Sequence, residues 1–328
     1  MQSMLKRVGA PVGTLLAVAV LAACGSSSSS SSTSKSSATS SAATSSAAAS
    51  GAATGPGKGK PAITLGDKNF TEEYILGDLY AQALEAKGFT VNLKPNIGSS
   101  ELTFKALASG VIDMYPEYTG VILSVLAGQN TQPVSADDAY AMAKKYVQSK
   151  GFTLLDKTPF FDADALATLS SFATKNHLTT IPDLKNLKSF SLAGPPENRT
   201  RYEGLVGLKE AYGLNNINFV PLAIGLQYQA LDKGTVNVGT VFTTDGQLQS
   251  AHYVILTDTK HIFGFQNVAP IVSPKVIARE GPAFAATLNA VSAKLTTHVM
   301  QQLNAAVDID KLDPATVASK FLQANGLK

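Results

Sequence analysis

Phe104-Lys105-Ala106-Leu107-Ala108-Ser109-Gly110-Val111-Ile112-Asp113-Met114 is echoed later in the chain by Tyr228-Gln229-Ala230-Leu231-Asp232-Lys233-Gly234-Thr235-Val236-Asn237-Val238. Each stretch reads as a helix end, a glycine stop and an apolar strand. Each strand then enters an unusual loop, Tyr115-Pro116-Glu117-Tyr118-Thr119-Gly120 in the first and Phe242-Thr243-Thr244-Asp245-Gly246 in the second. Loops at the carboxyl ends of parallel strands are where open α/β sheets bind ligands. Two such units imply a ligand held between two similar domains, although any two helix-strand units share part of this likeness.

The pattern extends both ways from the echo. Ile63-Thr64-Leu65 reads as a buried strand, and Thr71 can cap a helix with Ile75, Leu76, Leu79, Ala83 and Leu84 on one face and a stop at Gly88. A strand over 90–93 and a helix over 100–109 follow, then a strand over 111–114. Further on come a strand over 190–192, a helix over 201–212 ending at Gly213, and strands over 219–222, 236–242 and 253–257. The end is helical: Phe284, Leu288, Val291 and Leu295 share a face, Asp313-Pro314 starts a helix and Gly326 stops it. Strands alternating with helices predict an α/β protein with a largely parallel, doubly wound sheet.

The N-terminus is of another kind. Lys6 and Arg7 precede an uncharged apolar run, and small residues lead to Leu21-Ala22-Ala23-Cys24. That is the layout of a secretory signal, over residues 1–23, and the run is short for a membrane span. The last four residues resemble a bacterial lipobox, which implies lipidation of Cys24, the chain's single cysteine. From 24 to 61 the chain is almost all Ser, Ala, Gly and Thr, so it is expected to be a disordered tether. Without Lys6 and Arg7, 25 basic residues face 24 acidic ones, a balance that argues against nucleic-acid binding. About 270 residues remain after the tether, enough for two domains.

Catalytic and metal signatures are not found. His177, His252, His261 and His298 lack metal-ligand spacing, and no G-x-S-x-G elbow, P-loop or dinucleotide fingerprint occurs. Asp67, Glu72, Glu73 and Glu117 are carboxylates without an evident nucleophile beside them. The residues point to binding without a cofactor, not to an enzyme.

Thr64-Leu65-Gly66-Asp67-Lys68-Asn69-Phe70-Thr71-Glu72-Glu73-Tyr74-Ile75-Leu76-Gly77 and Ile112-Asp113-Met114-Tyr115-Pro116-Glu117-Tyr118-Thr119-Gly120 resemble the substrate-binding proteins of osmoprotectant ABC importers, which handle glycine betaine, choline and carnitine. Arg201-Tyr202-Glu203-Gly204-Leu205, Gly225-Leu226-Gln227-Tyr228, Thr244-Asp245-Gly246 and Asn267-Val268-Ala269-Pro270 extend the resemblance in order over nearly all of 62–328. It implies a type II periplasmic-binding-protein fold of two hinged lobes. Residues 62–160 plus 266–328 would form lobe I and 161–265 lobe II, with two crossings. It also implies an extracytoplasmic, lipid-anchored monomer that delivers a small cationic or zwitterionic solute to an ABC permease and its ATPase.

Such proteins hold quaternary ammonium groups against aromatic faces, where the ring quadrupole attracts a cation that has no N–H to donate. Matched by position, the resemblance gives Lys68 a basic role, Tyr118 and Phe242 cage faces, and Arg201 the solute's carboxylate. Two positions depart: Asp164 and Gln266 stand where the family commonly has tyrosines. Either those two meet an ammonium bearing N–H groups, which suits an amino acid or a polyamine-like solute, or Phe160, Phe161, Phe263 or Phe265 completes the cage. A sensory lipoprotein without a transport role is the other reading of the same fold.

Overall fold

The computed structural model describes residues 55–129 and 133–328. The expected signal peptide, Cys24 and most of the expected tether lie outside the described residues. Residues 55–60, the last of that stretch, form turns on the end of the first helix. There the Gly57 N–H donates to the Lys87 carbonyl at 3.0 Å, and a Cβ on Gly57 would lie 2.2 Å from the Phe89 nitrogen. This glycine serves close packing, not looseness. Among the described residues no helix is long and apolar enough to cross a membrane.

Among the described residues ten strands make two sheets: β1 Ile63–Gly66, β2 Val91–Lys94, β3 Met114–Tyr118, β4 Thr153–Leu154, β5 Asp164–Leu169, β6 Phe190–Gly194, β7 Ile217–Pro221, β8 Val238–Phe242, β9 Tyr253–Leu256 and β10 Val268–Val272. Their orders are β2-β1-β3-β10-β4 and β7-β6-β8-β5-β9. Each sheet underlies one lobe, and both sheets are mixed where the sequence predicts largely parallel ones. The antiparallel members are β10, against β3 and β4, and β5, against β8 and β9. Both are the first strand after the chain crosses between lobes, so each enters its sheet from the opposite side. The two crossing segments bridge at Phe161 and Asn267, and the Asp162 N–H donates to the Gln266 carbonyl at 3.0 Å.

The first helix, Thr71–Ala86, buries Ile75, Leu76, Leu79, Ala83 and Leu84, as its spacing predicts. That face packs in one core with Phe284, Leu288 and Val291 of the helix Pro282–Ser292 and with Leu295 just after it. Each fully buried aliphatic side chain contributes roughly 1.5–3 kcal/mol. Phe190, Leu192, Leu208 and Val238 belong to the separate core of the second lobe. Asp313 caps the helix Pro314–Ala324 by accepting from the Thr316 N–H.

Three local expectations change. Phe70, not Thr71, is the N-cap of the first helix, and the Thr71 hydroxyl donates to Asp308 instead. The two echoed strands begin later, at Met114 and Val238, and the first runs through Tyr115-Pro116-Glu117 because β10 pairs with it up to Tyr118. The predicted helix over 201–212 is broken. Its backbone is non-helical at Glu203 and Gly204, and a regular turn starts only at Gly207. A Cβ on Gly204 would stand 2.2 Å from the Asn198 carbonyl oxygen, so the kink packs against the preceding 3-10 turn.

Candidate functional site

A cleft opens between the two sheets at the ends of β1, β3 and β8 and the start of β5. Lys68, Tyr118, Asp164, Arg201, Phe242 and Gln266 all line it. They come from both lobes. Lys68 and Phe70 follow β1, Tyr118 ends β3, and Asp164 faces Phe242 in the β5–β8 register. Arg201 leads into the kinked segment.

The aromatic side also contains Phe70, to which the resemblance gives no separate role. Phe70 stacks on Tyr118 at 6.1 Å between centroids and on Phe242 at 5.3 Å. Phe160 and Phe263 sink into the cores of the two lobes, Phe265 packs in a third apolar cluster, and Phe161 is exposed. None of these four lines the cleft. The alternative in which they complete the cage is therefore not what the chain adopts. Lys-Asn-Phe at the end of a strand was the available signal for Phe70, since a residue two after Lys68 shares its loop.

The two basic residues already have partners. Lys68 is buried, with its Nζ 2.5 Å from Glu117, 3.6 Å from Glu73 and 4.2 Å from the Tyr118 ring centroid. Arg201 reaches across the cleft. Its Nη2 donates to Glu101 Oε2 at 2.9 Å and its Nε to Oε1 at 3.3 Å. Its Nη1 is also 4.0 Å from Glu203.

Gln266 is buried and its amide is committed. The oxygen accepts from the Val121 N–H at 3.0 Å, and the nitrogen donates to the Phe263 carbonyl at 3.1 Å and to Glu203 at 3.4 Å. The acceptor that the sequence offers to a solute N–H is thus taken by backbone. Gly120 leaves room for that amide: a Cβ there would meet it at 2.6 Å.

Asp164 is different. Its carboxylate has no hydrogen-bond partner among the described residues. Burial first, then the charge of Glu203, pushes it well above the usual carboxylate range, while the Arg201 guanidinium pulls the other way. Asp162, which flanks it in the same cleft, is also driven up by burial and then by Glu72. Desolvated carboxyl groups of this kind ionise more readily when a cation arrives.

The lobes are closed on each other. The Thr244 hydroxyl donates to Glu72 at 2.6 Å, Asn304 donates to the Thr244 carbonyl at 3.0 Å, and the Ser124 hydroxyl donates to Glu203 at 2.8 Å. An arrangement of aromatic faces, unpaired carboxylates and bridging hydrogen bonds suits enclosure of a small cation. Among the described residues no group of three His, Cys, Asp or Glu is placed to hold a metal.

Residues 61–324 match a protein family described as the substrate binding domain of an ABC-type glycine betaine transport system. Over 279 residues the chain is 33% identical to a glycine-betaine-binding protein of Pseudomonas aeruginosa, covering 81% of this chain and 88% of that one. It is 26% identical over 273 residues to a carnitine transport binding protein of Listeria monocytogenes, covering 82% and 88%. A crystal structure described as a glycine betaine/carnitine/choline ABC transporter superposes with a TM-score of 0.66 at 25% identity, covering 81% of this chain and 99% of that one.

Proposed function

The chain belongs to the family of substrate-binding domains of ABC-type glycine betaine transport systems, and on that premise we propose that its cleft binds a small quaternary ammonium solute for delivery to a permease. The observation that carries this is the convergence of Tyr118, Phe70 and Phe242 with the free carboxylate of Asp164 on one cleft between closing lobes. Rings attract the cation through their quadrupoles, and an unpaired carboxylate gives it a counter-charge. A solute touching both lobes binds the closed state better and shifts the population toward it.

The remaining parts of the reading rest on sequence and on fold. Lobe I takes 62–160 plus 266–328 and lobe II takes 161–265, a division supported by how the strands sort into two sheets and by the Phe161–Asn267 bridge. A monomer tethered through a lipid on Cys24, working with a permease and its ATPase, supplies the transport step. The protein is a receptor and carries out no reaction on its cargo. A second reading, an amino acid or polyamine-like solute, is favoured by Asp164, whose bare carboxylate would accept from ammonium N–H groups.

A thermal-shift panel of choline, glycine betaine, carnitine, basic amino acids and polyamines tests the proposal. A solute bound only by the folded protein raises its melting temperature. Quaternary ammonium solutes should give the largest rise. A panel in which none of them shifts the transition would sink the reading.

A further inference from the structure

Every positive charge that lines the cleft is neutralised by the chain itself. Lys68 is held by Glu117 and Glu73, and Arg201 by Glu101, whose lobe faces Arg201 across the cleft. Glu101 is set in the first turn of the helix Ser100–Ala108 and steadied by the Ser99 hydroxyl, which donates to it at 2.6 Å. Burial works against its ionised form, but the hydrogen bonds from Arg201 and Ser99 and the Arg201 charge together hold its carboxyl below the ordinary value. The two aspartates of the cleft are placed the other way. Both oxygens of Asp164, and Oδ2 of the buried Asp162, have no hydrogen-bond partner among the described residues, and both side chains line the cleft.

The geometry points to Glu101 as a specificity-determining residue, an internal carboxylate seated on Arg201 that makes the cleft favour cations lacking a carboxylate over zwitterions. This rests on the receptor reading above and narrows its solute class. A trimethylammonium cation without a carboxylate meets Asp162, Asp164 and the ring faces and asks nothing of Arg201. A zwitterion brings a carboxylate into a cleft already lined by Asp162, Asp164, Glu197 and Glu203. Its natural seat is the guanidinium, and to take it the solute must displace Glu101, which makes a two-point charge-assisted contact. Glu101 is 47% exposed and Arg201 14%, so that contact is screened and displaceable. The preference should therefore be graded, about tenfold, and not absolute.

Choline and glycine betaine, similar in size and alike in their trimethylammonium group, separate the cases by isothermal titration of the purified protein. The unsubstituted chain should bind choline about tenfold more tightly than glycine betaine. Glu101→Gln keeps the side-chain shape, removes the charge and frees Arg201. It should gain about tenfold for glycine betaine, with choline changed less than about threefold. Glu101→Asp, which keeps the charge, should retain most of the original preference. Betaine bound more tightly than choline by the unsubstituted chain, or an unmoved ratio in Glu101→Gln, would overturn the role of Glu101 and leave the receptor reading standing. Failure of the unsubstituted chain to bind either solute would remove both. Glu101 is solvent-exposed beside Ser100, which lines the cleft, and an unchanged melting temperature of the unliganded variant shows that lost folding does not account for the result.

Discussion

Asp164 carries the sharpest consequence at the scale of one residue. It stands opposite Phe242 in the β5–β8 register, so a carboxylate and a ring share one wall of the cleft. Burial and then Glu203 raise its pKa in the empty protein. In the folded state it therefore keeps its proton above the ordinary carboxylate range, and ionising it lowers the stability of the unliganded protein as pH rises through that window. A cationic solute reverses the preference, because it binds the ionised form. Affinity should rise with pH until the raised pKa is passed and then level off. Asp164→Asn should weaken binding of a quaternary ammonium solute about tenfold at about pH 8 and flatten most of the slope. Asp162 retains the remainder. Titration calorimetry from about pH 5 to about pH 8 measures both effects. A profile equally steep in the variant would assign the titration to another group. That Asp164 stands in the cleft was legible only through the family resemblance, as a position where the family commonly has a tyrosine. That Gln266 turns inward to Val121, and that Arg201 is met by Glu101, was not, because both contacts join residues a hundred or more positions apart.

At the scale of elements, the kinked segment after β6 shows where periodicity misleads. Leu205, Leu208 and Tyr212 have helical spacing and do share the core of the second lobe, yet the backbone between Arg201 and Gly207 is not a regular helix. The irregularity serves the cleft: it leaves Arg201 extended at the mouth and places Glu203 within hydrogen-bonding reach of Ser124 and Gln266. Gly204 permits it. A methyl group there would press on the Asn198 carbonyl, and backbone cannot swing aside as a flexible side chain would. Gly204→Ala should cost about 1–3 kcal/mol of stability, measured by denaturant unfolding, and weaken solute binding further by moving Glu203 and Arg201. A variant as stable as the parent would show that the kink has slack. The apolar face of the helix Thr71–Ala86 and the Asp313-Pro314 start are local signals, and local signals survive into the fold. The antiparallel entry of β5 and β10 depends on where the chain crosses between lobes, which no local pattern encodes.

For the whole molecule, closure is a balance set by a small number of polar contacts between the lobes. Thr244 is central to it. Its hydroxyl donates to Glu72, and Asn304 bonds both to that carboxylate and to the Thr244 carbonyl. Glu72 is 3% exposed in this closed state, and burial is the first cause raising its pKa. When the lobes part, water can solvate the carboxylate, so the Thr244 hydroxyl is worth most to the closed form. Thr244→Val removes it and leaves Asn304 as the donor to that Glu72 oxygen, and the lost hydrogen bond to a charged group costs closure roughly 1–3 kcal/mol. The unliganded variant should then sample the open state more. Its affinity should fall about tenfold in proportion to the lost closed population, for every solute alike. Small-angle scattering should show a larger radius of gyration for the empty variant and recovery of the compact value at saturating solute. This separates a closure residue from a contact residue. Asp164→Asn should alter affinity and its pH dependence with little change in the empty shape, whereas Thr244→Val should alter the shape and leave the order of solute preference as it was. An expanded variant with unaltered affinity would mean that solute binding is complete on one lobe before the other arrives.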